Sequence, residues 1–429
     1  MTKKSLTILI LFLLVILGIA FFGYQLFKSD TAPLPGEEGT TKPRRNFFFF
    51  GNRDPEPTDT SVPGVEEPGF TETPTGSTTV PTVNIPRLRQ LTTAAVSGGM
   101  ASSTGSTTLV RYIERGTGHA LENDMISLAD STTLSNTTIP KIYEAIWNTK
   151  GDKVLLRYTN DLGSISTFSA DLLPVRTSNG TGTPSVSRSP YELKGVYLTS
   201  NIKNIALSPK ADKMFYTVTG SNGAAGYTSS LNESGRVLLW DSPLKNWLAE
   251  WPEEDTITMT TSPTGYGLGY LYFVNSKNGS EKKVLGSVRG LTTLTSKDAQ
   301  KVLYSRSLTD SFQTFIYNTA EDTTDDVPFI TLPEKCIWGN LNKNDLYCAV
   351  PIQVTPGIYP DVWYQGKVSF IDKIWYINTS TGEARLLSDL YNESGKSIDA
   401  INLKLDATED FLIFMNKNDL TLWSLDISE

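Results

Sequence analysis

A short apolar run, a polar turn built from Gly, Asp, Asn or Pro, and a second apolar run recur along most of this chain. The clearest copies run from Tyr143 to Arg157 and from Asn204 to Tyr216. Weaker copies begin near Thr256 (turning over Thr261 to Gly265), Leu291 (Thr295 to Asp298), Cys336 (Asn340 to Asp345) and Ile401 (Asp406 to Asp410). A degenerate one runs from Ala94 through Ser97, Gly98 and Gly99 to Tyr112. Runs of this length bounded by turn residues read as strands, and no amphipathic helical stretch interrupts them. Seven copies spaced by about 35 to 65 residues predict an all-β fold, a single β-propeller of seven blades over residues 87–429. The last copy ends on Leu425-Asp426-Ile427 as a third strand. Arg87 to Leu91 is then placed to supply the fourth and close the ring, which removes an exposed edge. With this phasing, Lys282 to Arg289 is short for two strands.

Ahead of the repeats the pattern changes. Leu6 to Phe27 is a run of 22 residues without a charge, 16 of them Leu, Ile, Val or Phe. That length spans a bilayer as one helix, and it exceeds the apolar core of a cleaved signal peptide. The sequence therefore predicts a short tail (1–5), one transmembrane helix in contact with the lipid bilayer (6–27), a linker (28–86) and the propeller. Lys3 and Lys4 flank the helix directly, whereas of the four opposing charges Lys28 adjoins its other end and Lys42, Arg44 and Arg45 lie well beyond it. The balance favours a cytoplasmic N-terminus with the propeller outside the cytoplasm. The linker holds ten of the 23 prolines between Thr31 and Pro86, with many Thr, Gly and Glu, a composition expected to stay disordered. Its one exception is a basic and aromatic knot, Arg44-Arg45-Asn46 followed by Phe47 to Phe50.

A formal charge of −8 argues against nucleic acid as a partner, since displacing counterions from phosphates needs a basic face. The repeats resemble the WD40-like units of TolB-type propellers. The residues that carry the resemblance are Leu207-Ser208-Pro209-Lys210-Ala211-Asp212-Lys213, the stretch from Ile374 through Thr381-Gly382-Glu383 to Leu387, and Leu422-Trp423-Ser424-Leu425-Asp426. The resemblance implies the fold and says little about function.

Cys336 and Cys348 lie symmetrically about Asn342, so a hairpin centred there sets them opposite each other on adjacent strands, within reach of a disulfide. Such a bond suits an oxidising compartment. Catalytic chemistry is sparse. His119 is the one histidine, and no Gly-x-Ser-x-Gly elbow accompanies it. No zinc set and no cofactor motif appear, and the acidic turns Glu253 to Asp255 and Glu321 to Asp326 do not match a twelve-residue calcium loop.

The best candidate binding segment is the insertion from Pro351 to Gly366, expected between the second and third strands of its blade. Tyr359, Asp361, Trp363, Tyr364 and Gln365 combine flat rings with polar groups, which suits a sugar ring or a protein hot spot; the same rings would also serve to plug the central channel. The connection Asn136 to Pro140 is expected on the same face. Together these features predict a non-enzymatic binding or scaffold module for a cell-envelope protein or glycan. The alternative is a propeller hydrolase or lyase that acts on polysaccharide through paired carboxylates.

Overall fold

The computed structural model describes residues 85–104, 107–175 and 189–428. The predicted tail, membrane helix, aromatic knot and nearly all of the linker lie outside these residues. Among the described residues no helix is long and apolar enough to cross a membrane.

Seven four-stranded antiparallel sheets account for the strands. The first strands of the seven blades are Val96–Thr104, Ile142–Trp147, Ile202–Leu207, Trp247–Glu253, Thr292–Thr295, Cys336–Trp338 and Ala400–Leu405. Neighbouring first strands approach one another, which puts them around the centre of the ring. Second strands such as Lys213–Gly220 and Asp345–Pro351 are buried on both faces, as their unbroken apolar runs require. Outermost strands such as Thr323–Asp326 are fully exposed and polar, a composition that blunts an open edge. The apolar clusters lie between adjacent blades: Met100 and Ile113 of the first pack with Ile142, Val154 and Leu156 of the second.

The repeat has a common turn geometry. In four blades the turn opens on Asn148, Ser208, Ser296 or Asp406, whose side-chain oxygen accepts the N–H five residues on, from Lys153, Lys213, Lys301 or Phe411 at 2.9 to 3.1 Å. Three residues after the opening one, the backbone turns left-handed, at Gly151, Ala211, Ala299 and Glu409. A short polar residue is needed at the first position and a tolerant one at the fourth. That requirement is what the degenerate sequence repeat preserves.

Polar side chains cross every blade boundary near the centre. Ser97 Oγ donates to Ile142 O (2.7 Å), Arg157 to Ile202 O (2.8 Å), and Asn204 Oδ1 accepts Ala249 N–H (2.8 Å). Glu250 Oε2 accepts Thr295 N–H (3.0 Å), Trp338 Nε1 donates to Leu294 O (3.2 Å), Lys335 Nζ to Ala400 O (3.0 Å), and Ser103 Oγ to Asp406 Oδ2 (3.1 Å). All but the Ser103 bond satisfy a backbone group that the inner edge of a first strand leaves without a ladder partner.

The ring closes as expected. Leu88–Gln90 pairs antiparallel with Leu422–Asp426, Leu88 opposite Leu425, and forms the outermost strand of the last blade. Cys336 and Cys348 are register partners joined in a disulfide, with Cα atoms 4.1 Å apart, and both are buried. One phase is corrected. Thr256–Thr261 is the second strand of the fourth blade, and Trp247–Glu253 is its first. Pro252 and two glutamates hid that strand from the apolar pattern. The correction also accounts for Lys282 to Arg289, which lies within one strand, Glu281–Arg289.

Candidate functional site

The insertion leaves the second strand of the sixth blade at Pro351 and re-enters the sheet at Asp372. It runs over the face that carries the connections between blades and reaches well beyond its own blade. Gly357 N–H donates to Asp310 O of the fifth blade (3.1 Å). Asp361 accepts from Thr264 Oγ1 (2.8 Å) and Gly265 N–H (2.6 Å) of the fourth. Lys417 Nζ of the seventh donates to Trp363 O (2.9 Å). The segment is thus a strap over four consecutive blades.

Beneath the strap sits a buried ionic cluster. Lys335 has no exposed side-chain surface and is paired with Asp372 (2.8 Å) and Asp399, both equally buried. Asp399 Oδ2 also accepts from Trp363 Nε1 (2.9 Å), Ser369 Oγ (3.1 Å) and Phe370 N–H (3.1 Å). A carboxylate removed from water needs this density of donors. Tyr359, Trp363 and Phe370 complete the underside as an apolar cluster with Phe312 and Leu332.

The five predicted site residues therefore divide. Tyr359 and Trp363 face inward at 1% and 5% exposure and anchor the strap. Asp361 is spent on Thr264 and Gly265. Tyr364 is 42% exposed, its phenol donating to Glu334, and Gln365 is exposed. All but Tyr359 belong to or adjoin one short helix, Asp361–Tyr364. Sequence reasoning missed Tyr266, which is 73% exposed and next to the Gly265 that binds Asp361. The phasing hid it: a turn after a first strand belongs to the opposite face. The Asn136 to Pro140 connection joins the first and second blades on the strap face. His119 Nε2 meets Thr138 Oγ1 at 3.2 Å at that connection, a surface contact.

Glu334 accepts from the Tyr364 phenol, and Glu250 lies close enough to Glu334 for the two carboxyls to act on each other. Glu334 lies just before the first strand of the sixth blade, and Glu250 projects from the first strand of the fourth. Burial pushes the Glu250 carboxyl up to about 7, its Thr295 hydrogen bond opposing and the Glu334 charge adding to the rise. Burial likewise raises Glu334. In the ionic cluster, burial raises Asp372 to about 6 against the pull of Lys335. Among the described residues no group of His, Cys, Asp and Glu is arranged to hold a metal ion. Of the acidic turns, Asp255 pairs with Lys277 at 2.7 Å and Thr323–Asp326 forms a strand.

These positions set a pH dependence. Glu250 and Asp372 have folded-state values above their ordinary 4.5 and 3.8, so the folded chain keeps protons that the unfolded chain releases. That contribution is complete below about pH 4 and is lost as pH rises through 6 and 7. Asp212, Asp298 and Asp389 are shifted the other way, with a window below pH 3.8, outside this range. The urea midpoint is expected to fall between pH 5 and pH 8, and Glu250→Gln to flatten that fall. An unchanged slope in the variant would count against the assignment.

No family model matches the chain, and no curated protein matches it in sequence. Solved structures that resemble it include an oligogalacturonate lyase from Vibrio parahaemolyticus, at TM-score 0.52 and 9% identity over 80% of this chain and 94% of that one. TolB from Acinetobacter baumannii matches at TM-score 0.41 and 13% identity over 64% of this chain; this chain spans 62% of TolB, less than two thirds. The β-propeller domain of the Trilobed protease from Pyrococcus furiosus matches at TM-score 0.47 and 11% identity, over 78% and 96%. At such identities the likeness is one of fold.

Proposed function

We propose that this chain is a non-enzymatic binding or scaffold module for a cell-envelope protein or glycan, engaged on the strap face through Tyr266, Tyr364 and Gln365. The supporting observation is the strap itself. Its helix is fixed from below by Asp361 and Trp363, yet Tyr364 and Gln365 remain open to solvent. A surface ordered in advance binds without the entropic cost of fixing a loop, and exposed tyrosines are efficient hot spots once a partner covers them. The uncharged run 6–27 and the Pro/Thr-rich stretch after it support tethering to a membrane through a linker, with the propeller outside the cytoplasm. Protease accessibility in intact against lysed cells tests that placement.

A photo-reactive residue at position 365 is expected to cross-link the partner in cells, and one at Val237 on an outermost strand is not. Tyr364→Ala and Tyr266→Ala are each expected to weaken that partner by about tenfold, the loss of one hot-spot ring. Equal cross-linking from both positions would remove this face from consideration. One observation favours the enzymatic reading, a polysaccharide hydrolase or lyase: Glu250 and Glu334, both raised by burial, suit a general acid and its partner. Turnover of an envelope glycan that is abolished by both Glu250→Gln and Glu334→Gln would establish it.

A further inference from the structure

The opposite end of the central channel carries a feature that the strap face does not use. Inner strands of the seventh, first and second blades, with Asn340 of the sixth, enclose a recess of about 490 Å³. Ala101, Ile146 and Leu405 give it an aliphatic wall, Asn402 lies on the same wall, and Ala407 stands at the rim. Trp147 lines it but is only 8% exposed, so it offers no open aromatic face.

The cation in its lining is Lys404. This side chain is exposed to the recess and forms no ion pair among the described residues; Glu144, which lines the same recess, is committed to Arg157. Burial lowers Lys404 from its ordinary value, with Glu144 offsetting part of that. Lys297 donates to Asn340 at the edge of the recess and is close enough to act on Lys404, though the Glu409 carboxylate acts on it more strongly. Lys404 thus supplies the recess with a positive charge in a chain whose net charge is −8.

The backbone adds a second kind of recognition. Val96–Thr104, Ile142–Trp147 and Ala400–Leu405 each have a ladder partner on one side only. Apart from groups already bonded across a blade boundary, such as Ile142 O and Ala400 O, alternate N–H and C=O groups therefore face the channel, a pattern that an extended peptide complements.

We propose that this recess receives the C-terminal end of an extended peptide: Lys404 pairs with the terminal carboxylate, Asn402 bonds the last amide, and Ile146 and Leu405 contact an apolar last side chain. A peptide fits better than a sugar, because Ala101, Ile146 and Leu405 form an aliphatic patch, Trp147 offers no open ring for a sugar to stack on, and the inner strand edges present amide groups. The site lies on the other face from Tyr364 and stands or falls independently of the function proposed above.

The test is fluorescence anisotropy with the full chain and a labelled Gly-Gly-Ala-Ala-Leu peptide, as the free acid and as the C-terminal amide. The free acid is expected to bind at least about tenfold more tightly than the amide, and Lys404→Met to erase that difference. Ala407→Glu, a change at the rim that leaves the interblade clusters intact, is expected to weaken the free acid by a similar factor through repulsion. Equal binding of acid and amide, no binding of either at about 1 mM, or a difference that persists in both variants would overturn the proposal. Displacement of the peptide by tetragalacturonate at lower concentration than by unlabelled free acid would overturn it in favour of an acidic sugar.

Discussion

Replacing Lys335 with methionine is expected to cost about 3 to 5 kcal/mol of stability, because it strands Asp372 and Asp399 in the interior without their cation. Against a typical total of about 5 to 15 kcal/mol, that is a large fraction. The loss would not stay local. Asp399 holds Trp363, Ser369 and Phe370, so repulsion between the two carboxylates loosens the strap at its anchor. All eight tryptophans lie in the propeller, so urea unfolding followed by fluorescence reads the stability change directly. Limited proteolysis at Lys367 reads the release of the strap. Converting all three residues to apolar ones of similar size should recover much of the loss, since buried ion triads are seldom better than good packing. A single variant within about 1 kcal/mol of the parent would show that water reaches the cluster.

Arg89→Pro is expected to open the ring. Arg89 lies opposite Ser424 in the closing strand, in the same hydrogen-bonding phase as Arg87 O, which accepts Asp426 N–H at 2.8 Å, and Leu91 N–H, which donates to Leu422 O at 2.8 Å. Proline removes the N–H at that position and leaves the facing carbonyl unpaired, at a cost of roughly 1 to 3 kcal/mol. It also removes the guanidinium that bridges to the first blade at Ser127 O (2.6 Å) and Asp124 O. With only three residues in the closing strand, little remains to hold it. The freed edge Leu422–Asp426 is apolar and unprotected, so soluble oligomers should appear in light scattering together with a lower urea midpoint. A monomer with an unchanged midpoint would mean that closure contributes little.

The fold was legible because the propeller repeats one local solution. Asn148, Ser208, Ser296 and Asp406 keep the same turn although the residues between them drift. The symmetric placement of Cys336 and Cys348 and the apolar phase of Arg87 to Leu91 were readable for the same local reason. The fourth blade was not, because Trp247-Leu-Ala-Glu-Trp-Pro-Glu253 is stabilised by neighbours rather than by its own apolar pattern: Trp247 packs edge-on to Trp240 at 5.1 Å. The candidate site was half legible. Composition located the strap, but only packing separates Tyr359 and Trp363, which anchor it, from Tyr364 and Gln365, which it presents. Tyr266 and the carboxyls of Glu250 and Glu334 reach that neighbourhood through contacts between distant blades, and local pattern carries no trace of those.

The seam in the last blade also sets a timetable. Arg87 and Asp426, which bond across it, are 339 residues apart in the chain. At about 5 to 20 residues per second, roughly 20 to 70 s of synthesis separate one side of the seam from the other. For that interval the earliest strand to be made has no partner, and the growing stack of blades has two open ends. Completion of the ring is thus tied to synthesis of the seventh blade, and a pause ahead of Leu422–Asp426 would prolong the most aggregation-prone stage of the molecule's life.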